Sequence, residues 1–223
     1  MIVELRQYTL RPGRRDDLID LFDRELVETQ EATGMTVIGQ FRDLDRPDRF
    51  VWLRGFADMP RRAEALTAFY SGPVWRAHGP AANATMIDSD DVLLLRPTTA
   101  FAVPATPRPP VGAPPPRSLV VASICYGERP FDSSYAELFD RIARPALTGA
   151  GAEVIATLQT EYAENTFPRL PVRTGEHVFV WLARFRDPAQ LRVLDDVPPA
   201  LTKPLIAAPE QLRLAPTGRS LLR

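Results

Sequence analysis

The chain is poor in the residues that make metal or covalent chemistry easy to recognise. Its 223 residues include one cysteine, Cys125, and two histidines, His78 and His177. A lone cysteine excludes an internal disulfide and any multi-cysteine metal site. Two histidines without Asp or Glu at ligand spacing are a poor basis for zinc, so neither metal nor cofactor is expected. Both histidines read as solvated or hydrogen-bonded loop residues, and Cys125 as a small core residue in mid-strand. Lysine is nearly missing, Lys203 being the only one, and arginine carries the remaining positive charge. A GC-rich coding preference explains that without a role in anion recognition. No apolar run approaches the roughly 20 residues needed to cross a bilayer. The first residues lack the apolar core of a signal peptide, which makes the cytoplasm the default compartment. There is no phosphate-cradling glycine loop, no G-x-S-x-G and no dinucleotide fingerprint. A net charge of −1 gives no electrostatic reason to expect nucleic acid or a membrane as partner.

What is present is an internal repeat. Phe50-Val51-Trp52-Leu53 returns as Phe179-Val180-Trp181-Leu182, each copy reaching a Phe three residues later. Upstream, Leu21-Phe22-Asp23-Arg24 returns as Leu138-Phe139-Asp140-Arg141. Two matched quartets in one order point to a duplication. Residues 2–10 alternate apolar and polar, the period of a strand. Residues 14–31 place Leu18, Leu21, Phe22 and Leu26 at helical spacing, with Gly34 as a stop. Strands are predicted at 35–42 and 50–56, then a helix at 59–70 capped by Asp58, an irregular stretch through 71–80, and a short strand at 92–95. The order β-α-β-β-α-β is the ferredoxin-like arrangement.

Residues 97–117 hold eight prolines. Such a stretch cannot enter a sheet and favours extended polyproline II, so 98–117 reads as a semi-rigid linker between units at 1–97 and 118–223. The second unit repeats the order, with strands at 119–126, 154–161, 178–185 and 211–214 and helices at 135–144 and 189–194. Pro145 is expected to end the first of those helices. The connection 162–176 is about a dozen residues longer than its counterpart, and long connections often form lids or mouths.

Glu4-Leu5-Arg6-x-Tyr8-Thr9-Leu10-x-Pro12-Gly13 resembles the opening motif of NIPSNAP-family proteins. The resemblance continues through Gly34-Met35, the Trp52 strand, Asp58 and Arg61-Arg62. It then takes in Ser71-Gly72-Pro73-Val74-Trp75 and Leu94-Leu95-Arg96-Pro97. It implies an α+β fold: two ferredoxin-like βαββαβ units packed sheet to sheet as an intrachain barrel, with a pocket between the sheets. Physics supports that architecture, because an uncovered sheet face bearing Phe50 and Trp52 would be an association surface. A second copy in the same chain covers it at high effective concentration. Self-association of the whole chain remains open.

If Val3 and Leu5 pack on the helices, Glu4, Arg6 and Tyr8 point between the sheets. Gly55, read as a point of close helix approach, puts Phe50, Trp52, Arg54 and Phe56 on the same inner face. Arginine suits fork-to-fork binding of a carboxylate or phenolate, and aromatic walls suit a flat apolar ligand. Buried Glu4 could act as a base, with Tyr8 as its acid–base partner, unless Glu4 forms a satisfied ion pair that fixes packing. Matching Tyr8 to Tyr126 sets Ala122 opposite Glu4, Ile124 opposite Arg6 and Ala183 opposite Arg54. The ligand-binding set is then Arg6, Phe50, Trp52, Arg54, Tyr126 and Trp181, polar on one wall and apolar on the other. Three functions fit: binding of a small apolar or aromatic molecule, a cofactor-independent monooxygenase, isomerase or cyclase, and a non-catalytic protein-interaction module.

Overall fold

The alternating stretch at the start of the chain forms β1 (Ile2–Leu10). Gly13, at φ 75°, turns the backbone into α1, residues 15–31. This helix holds a π turn over Phe22–Leu26, and Gly34, at φ 92°, follows its end. Next come β2 (Thr36–Asp43), β3 (Arg49–Phe56) and α2 (Met59–Tyr70). The Asp58 carboxylate accepts from the Arg61 amide at 2.7 Å and so caps α2. The half ends with α3 (Pro73–Asn83) and β4 (Met86–Pro97). The second half contains β5 (Leu119–Gly127), α4 (Ser133–Gly149), β6 (Glu153–Thr160) and β7 (His177–Phe185). A 3₁₀ turn (Pro188–Leu194), the short α5 (Pro199–Thr202) and β8 (Glu210–Pro216) complete it. The computed structural model describes residues 1–195 and 198–223.

Three elements differ from expectation. The stretch predicted to be irregular after Tyr70 is the helix α3, with Pro73 in its first turn, where no amide partner is needed, and Ala82 buried. β4 is far longer than 92–95, because β1 pairs with it from Val3↔Leu95 to Leu10↔Met86. Pro145 does not end α4, which runs on to Gly149 with Leu147 buried. Tertiary burial outweighs the lost hydrogen bond there.

The strands close into one antiparallel barrel in the order β1-β3-β2-β8-β5-β7-β6-β4. Each half contributes four strands in ferredoxin-like order. The seams are β2 with β8, as in Arg42↔Ala215, and β4 with β6, as in Arg96↔Gln159. An eight-stranded barrel is narrow enough for side chains to fill. Here Val3, Leu5, Val51, Leu53, Leu93 and Leu95 meet Val120, Ala122, Ile124, Val180, Leu182 and Leu214 in one buried cluster. The space between the two sheets is therefore packed apolar core, with Phe41 among the aliphatic side chains.

The Pro-rich stretch has neither helix nor strand, but it is strapped to the fold. Arg108 donates to the carbonyls of Arg219 at 2.7 Å and Val37 at 2.6 Å, and Arg219 donates to that of Pro109 at 2.9 Å. Among the described residues no helix is long and apolar enough to cross a membrane.

Candidate functional site

β1 and β3 lie side by side with Glu4 opposite Arg54, Arg6 opposite Trp52 and Tyr8 opposite Phe50. All six side chains share one face, as expected, but that face is the reverse of the one predicted. Val3 and Leu5 belong to the barrel interior, while Tyr8, Phe50, Trp52 and Phe56 pack with Leu18, Phe22, Leu66 and Phe69 beneath the helices. The reading of Gly55 fails for the same reason. A Cβ there would meet Met1 and Ile38 rather than a helix. Alternation shows that two faces differ; it does not say which is inside when both are buried.

The helix side supplies polar partners that the barrel interior lacks around Val3, Leu5 and Leu53. Glu4 lies at the centre of a fully buried cluster. Its Oε2 accepts from Arg6 Nη1 and Arg54 Nε, both at 2.7 Å, and its Oε1 accepts from Arg62 Nε at 2.6 Å. Arg6 also donates from Nε to the Tyr8 hydroxyl at 2.9 Å. Arg54 Nη1 reaches Gln30 Oε1 at 3.3 Å and the Tyr70 hydroxyl at 3.5 Å. The Trp52 ring lies 5.7 Å from the Arg6 guanidinium carbon and 5.1 Å from that of Arg54, within cation–π range.

Three guanidiniums surround one carboxylate, so the ion-paired cluster carries excess positive charge. Burial alone would raise the Glu4 carboxyl, but the fields of Arg54, Arg6 and Arg62 outweigh it and hold Glu4 ionised well below the usual carboxylate range. A carboxylate so held is a counter-ion and a poor proton acceptor. Burial pushes the Tyr8 phenol up, so it stays protonated at neutral pH. Among the described residues, three donors buried in this cluster have no protein acceptor: Arg54 Nη2, Arg62 Nη2 and Trp52 Nε1. Unpaired buried donors on charged groups are costly, which makes this a place suited to an anion.

Beside the cluster is a groove of about 390 Å³ lined by Tyr70, Trp75, Phe167 and Leu170 and, at its polar part, by Ser89, Arg169, Asp88 and Asp90, among others. Two residues join groove and cluster. Tyr70 lines the groove and places its hydroxyl near Arg54, and the Ser89 carbonyl accepts from Arg6 Nη2 at 3.5 Å. Phe167 stacks on Tyr70 with ring centroids 5.8 Å apart, and Asn165 Oδ1 accepts from Arg62 Nη1 at 3.0 Å. Both come from the long connection of the second half.

The two other predicted site residues lie elsewhere. Tyr126 packs against the barrel-interior cluster at one end, where Arg173 Nη1 donates to its hydroxyl at 3.2 Å and to Asp91 Oδ1 at 3.1 Å. Trp181 is on the helix side of the second half, with Phe139 and Phe179. Matching Tyr8 to Tyr126 was therefore off by one residue. Arg6 pairs with Trp52 as Ser123 pairs with Trp181, so the true equivalents of Glu4, Arg6 and Tyr8 are Val121, Ser123 and Cys125. The polar set is still lost from the second half, replaced by a different trio. Ser123, Cys125, Tyr135, Phe139 and Trp181 line a small cavity of about 60 Å³ there. Burial pushes the Cys125 thiol up to about 11. We expect it to react slowly with a disulfide reagent at pH 8 and rapidly in denaturant, which a colorimetric thiol assay would check.

Sequence reasoning missed Arg62, Gln30, Tyr70 and Asn165. Arg62 had a signal: Met59, Arg62, Leu66 and Phe69 share the buried face of α2, and a lone charge on an apolar stripe needs a buried partner. His78 lies 3.6 Å from Glu25, and His177 shares a hydrogen bond of 2.8 Å with Tyr162. No group of three or more potential metal-ligating residues occurs among the described residues.

Fold and site together define a tandem α+β barrel whose first half holds a buried arginine–carboxylate cluster under its helices. The NIPSNAP family model matches residues 3–101, the first half of the chain. A NIPSNAP family protein of Agrobacterium tumefaciens is 26% identical, with 44% of this chain and 92% of that chain covered and a TM-score of 0.41. Two candidate monooxygenases span the whole barrel. That of Lactobacillus acidophilus has 13% identity, coverage of 96% and 93%, and a TM-score of 0.56. That of Fusobacterium nucleatum has 8% identity, coverage of 97% and 92%, and a TM-score of 0.57. At such identities the likeness is one of fold. No curated protein matches the sequence.

Proposed function

We propose that the protein binds a small aromatic or apolar molecule bearing one anionic group, and that the binding place is the helix side of the first sheet. The anion is held by the free donors of Arg54 and Arg62, and the ring lies along Tyr70, Trp75 and Phe167. The observation that carries this reading is the excess of guanidinium over carboxylate in a buried cluster with unpaired donors. Binding is favoured over acid–base turnover because Glu4 is held ionised by three cations and Tyr8 stays a phenol.

The test compares 1-naphthoate with its neutral isostere 1-naphthamide, read by quenching of indole fluorescence. Naphthoate should bind at least about tenfold tighter, the equivalent of one charge-assisted hydrogen bond. Arg62→Met should abolish that preference while leaving naphthamide unchanged. It should also leave the fold intact, because Glu4 keeps Arg6 and Arg54. Equal affinity for acid and amide in the native protein would count against an anion site.

A further inference from the structure

The connection 161–176 is a single long segment of the second half, yet it touches two separate places. At its C-terminal end Arg173 ties it to the barrel: the Arg173 amide donates to the Val92 carbonyl at 2.9 Å, and its guanidinium reaches Asp91, Tyr126 and Glu176. Toward its N-terminal end it crosses to α2. Thr166 Oγ1 donates to the Met59 carbonyl at 3.3 Å, Asn165 Oδ1 accepts from Arg62, and Phe167 is buried against Tyr70. Asn165 is itself fixed in place. Its Oδ1 also accepts from the Phe167 amide at 3.1 Å, and its Nδ2 donates to the Leu170 carbonyl at 2.9 Å.

We propose that this connection is a specificity element for the first half's site. Asn165 positions Arg62 without neutralising it, and Phe167 forms the aromatic ceiling over the ligand ring. The inference rests on the anion-binding reading and assigns the residues that select among anions. Its chemical basis is the choice of an amide at position 165. Arg62 donates its Nε to Glu4 and one terminal nitrogen to a neutral oxygen, which leaves its charge only partly compensated and its other terminal nitrogen free. A carboxylate at 165 would pair Arg62 a second time and cut the cluster's excess of guanidinium over carboxylate from two to one, which weakens its hold on an anion. Phe167 has no counterpart in the first half, whose β2–β3 connection is a short turn between Asp43 and Arg49. The second half has thus lost its own polar site and supplies a wall to the other one.

Two variants and two readouts test this. Asn165→Asp should weaken 1-naphthoate binding about tenfold or more and leave 1-naphthamide within about twofold. Phe167→Ala should weaken 1-naphthoate more than benzoate, whose single ring meets less of the ceiling. Independently of any ligand, phenylglyoxal labelling followed by peptide mass spectrometry should find Arg62 protected in the native protein and reactive in Phe167→Ala. Far-ultraviolet circular dichroism matching that of the native protein would show that both variants are folded. If native protein prefers naphthoate, Arg62→Met abolishes the preference and both loop variants behave like the native protein, the inference fails and the binding reading stands. If native protein shows no preference for the acid, the binding reading and the roles in selection fail together. Unchanged Arg62 labelling in Phe167→Ala removes the ceiling whatever the ligand does.

Discussion

Replacing Glu4 by Gln should cost at least about 3–5 kcal/mol of folding stability at pH 7, as measured by urea unfolding. The substitution keeps shape and two polar atoms but removes the one carboxylate that, among the described residues, pairs with the buried Arg6, Arg54 and Arg62. Three buried cations then repel one another without a counter-charge. The pH profile identifies the cause. The folded-state carboxyl is held below its ordinary value of 4.5, so its stabilisation is complete above about pH 4.5 and drains as pH falls below it. The gap between native protein and Glu4→Gln should therefore narrow by about 1.4 kcal/mol per unit below that point. Adding Arg62→Met to Glu4→Gln should recover part of the loss, because one of the uncompensated charges goes with it. A loss under about 1 kcal/mol at pH 7 would mean that water reaches Glu4 and that the cluster is not the closed ion group described.

Much of the architecture was legible because the duplication is written in contacts as well as in letters. The repeated quartets meet in space. Phe22, from Leu-Phe-Asp-Arg on α1, packs edge-on to Phe50 and Trp52 at 5.5 and 4.9 Å. Phe139, from the same quartet on α4, packs on Phe179 and Trp181 at 5.6 and 6.0 Å. What recurred in the sequence was one helix-to-sheet interface, used twice. That also shows why the inner and outer faces were exchanged. The sequence pattern alone puts Phe50 and Trp52 on the face covered by the other copy, whereas their repeat partners are the helices of their own half. In a barrel clothed by helices neither sheet face is wet, so the polar–apolar alternation that usually marks outside from inside has no solvent to refer to. The charged face goes to the helices because Arg62, Gln30 and Tyr70 can satisfy it there. The opposite face meets Val, Leu, Ile and Ala from the second half, with Tyr126 at one end.

The site was legible in composition and obscure in closure. Glu4, Arg6, Tyr8, Trp52 and Arg54 follow from one strand pair in register, which a period of two can supply. Arg62 comes from a helix, and Asn165 and Phe167 come from a connection more than 100 positions away. No local pattern joins such residues. The mismatch of Tyr8 with Tyr126 has a simple origin: two tyrosines one register step apart look equivalent in a linear alignment but lie on opposite faces of a strand. Only the pairing of each strand with its Trp-bearing neighbour resolves it.

The shared apolar interior leads to the second large effect, on how the halves unfold. If each half were a separate domain on a proline spacer, a core substitution in one would leave the other's transition in place. Here Leu53 and Leu182 belong to one buried cluster drawn from both halves, and two seams of backbone pairing close the barrel. Trp52 can report on the first half alone in a Trp75→Phe, Trp181→Phe background, since the chain has three tryptophans. In that background Leu182→Ala, made wholly in the second half, should lower the stability reported by Trp52 by about 2–5 kcal/mol, the cost of a large-to-small change in a packed core. The transition should remain single and coincide with the loss of far-ultraviolet circular dichroism. An unmoved Trp52 midpoint, or two separated transitions, would refute a common core. A coincident shift would mean that the first half's arginine cluster and the second half's long connection are held in register by the same barrel. In that case the site cannot be reconstituted from residues 1–101 alone.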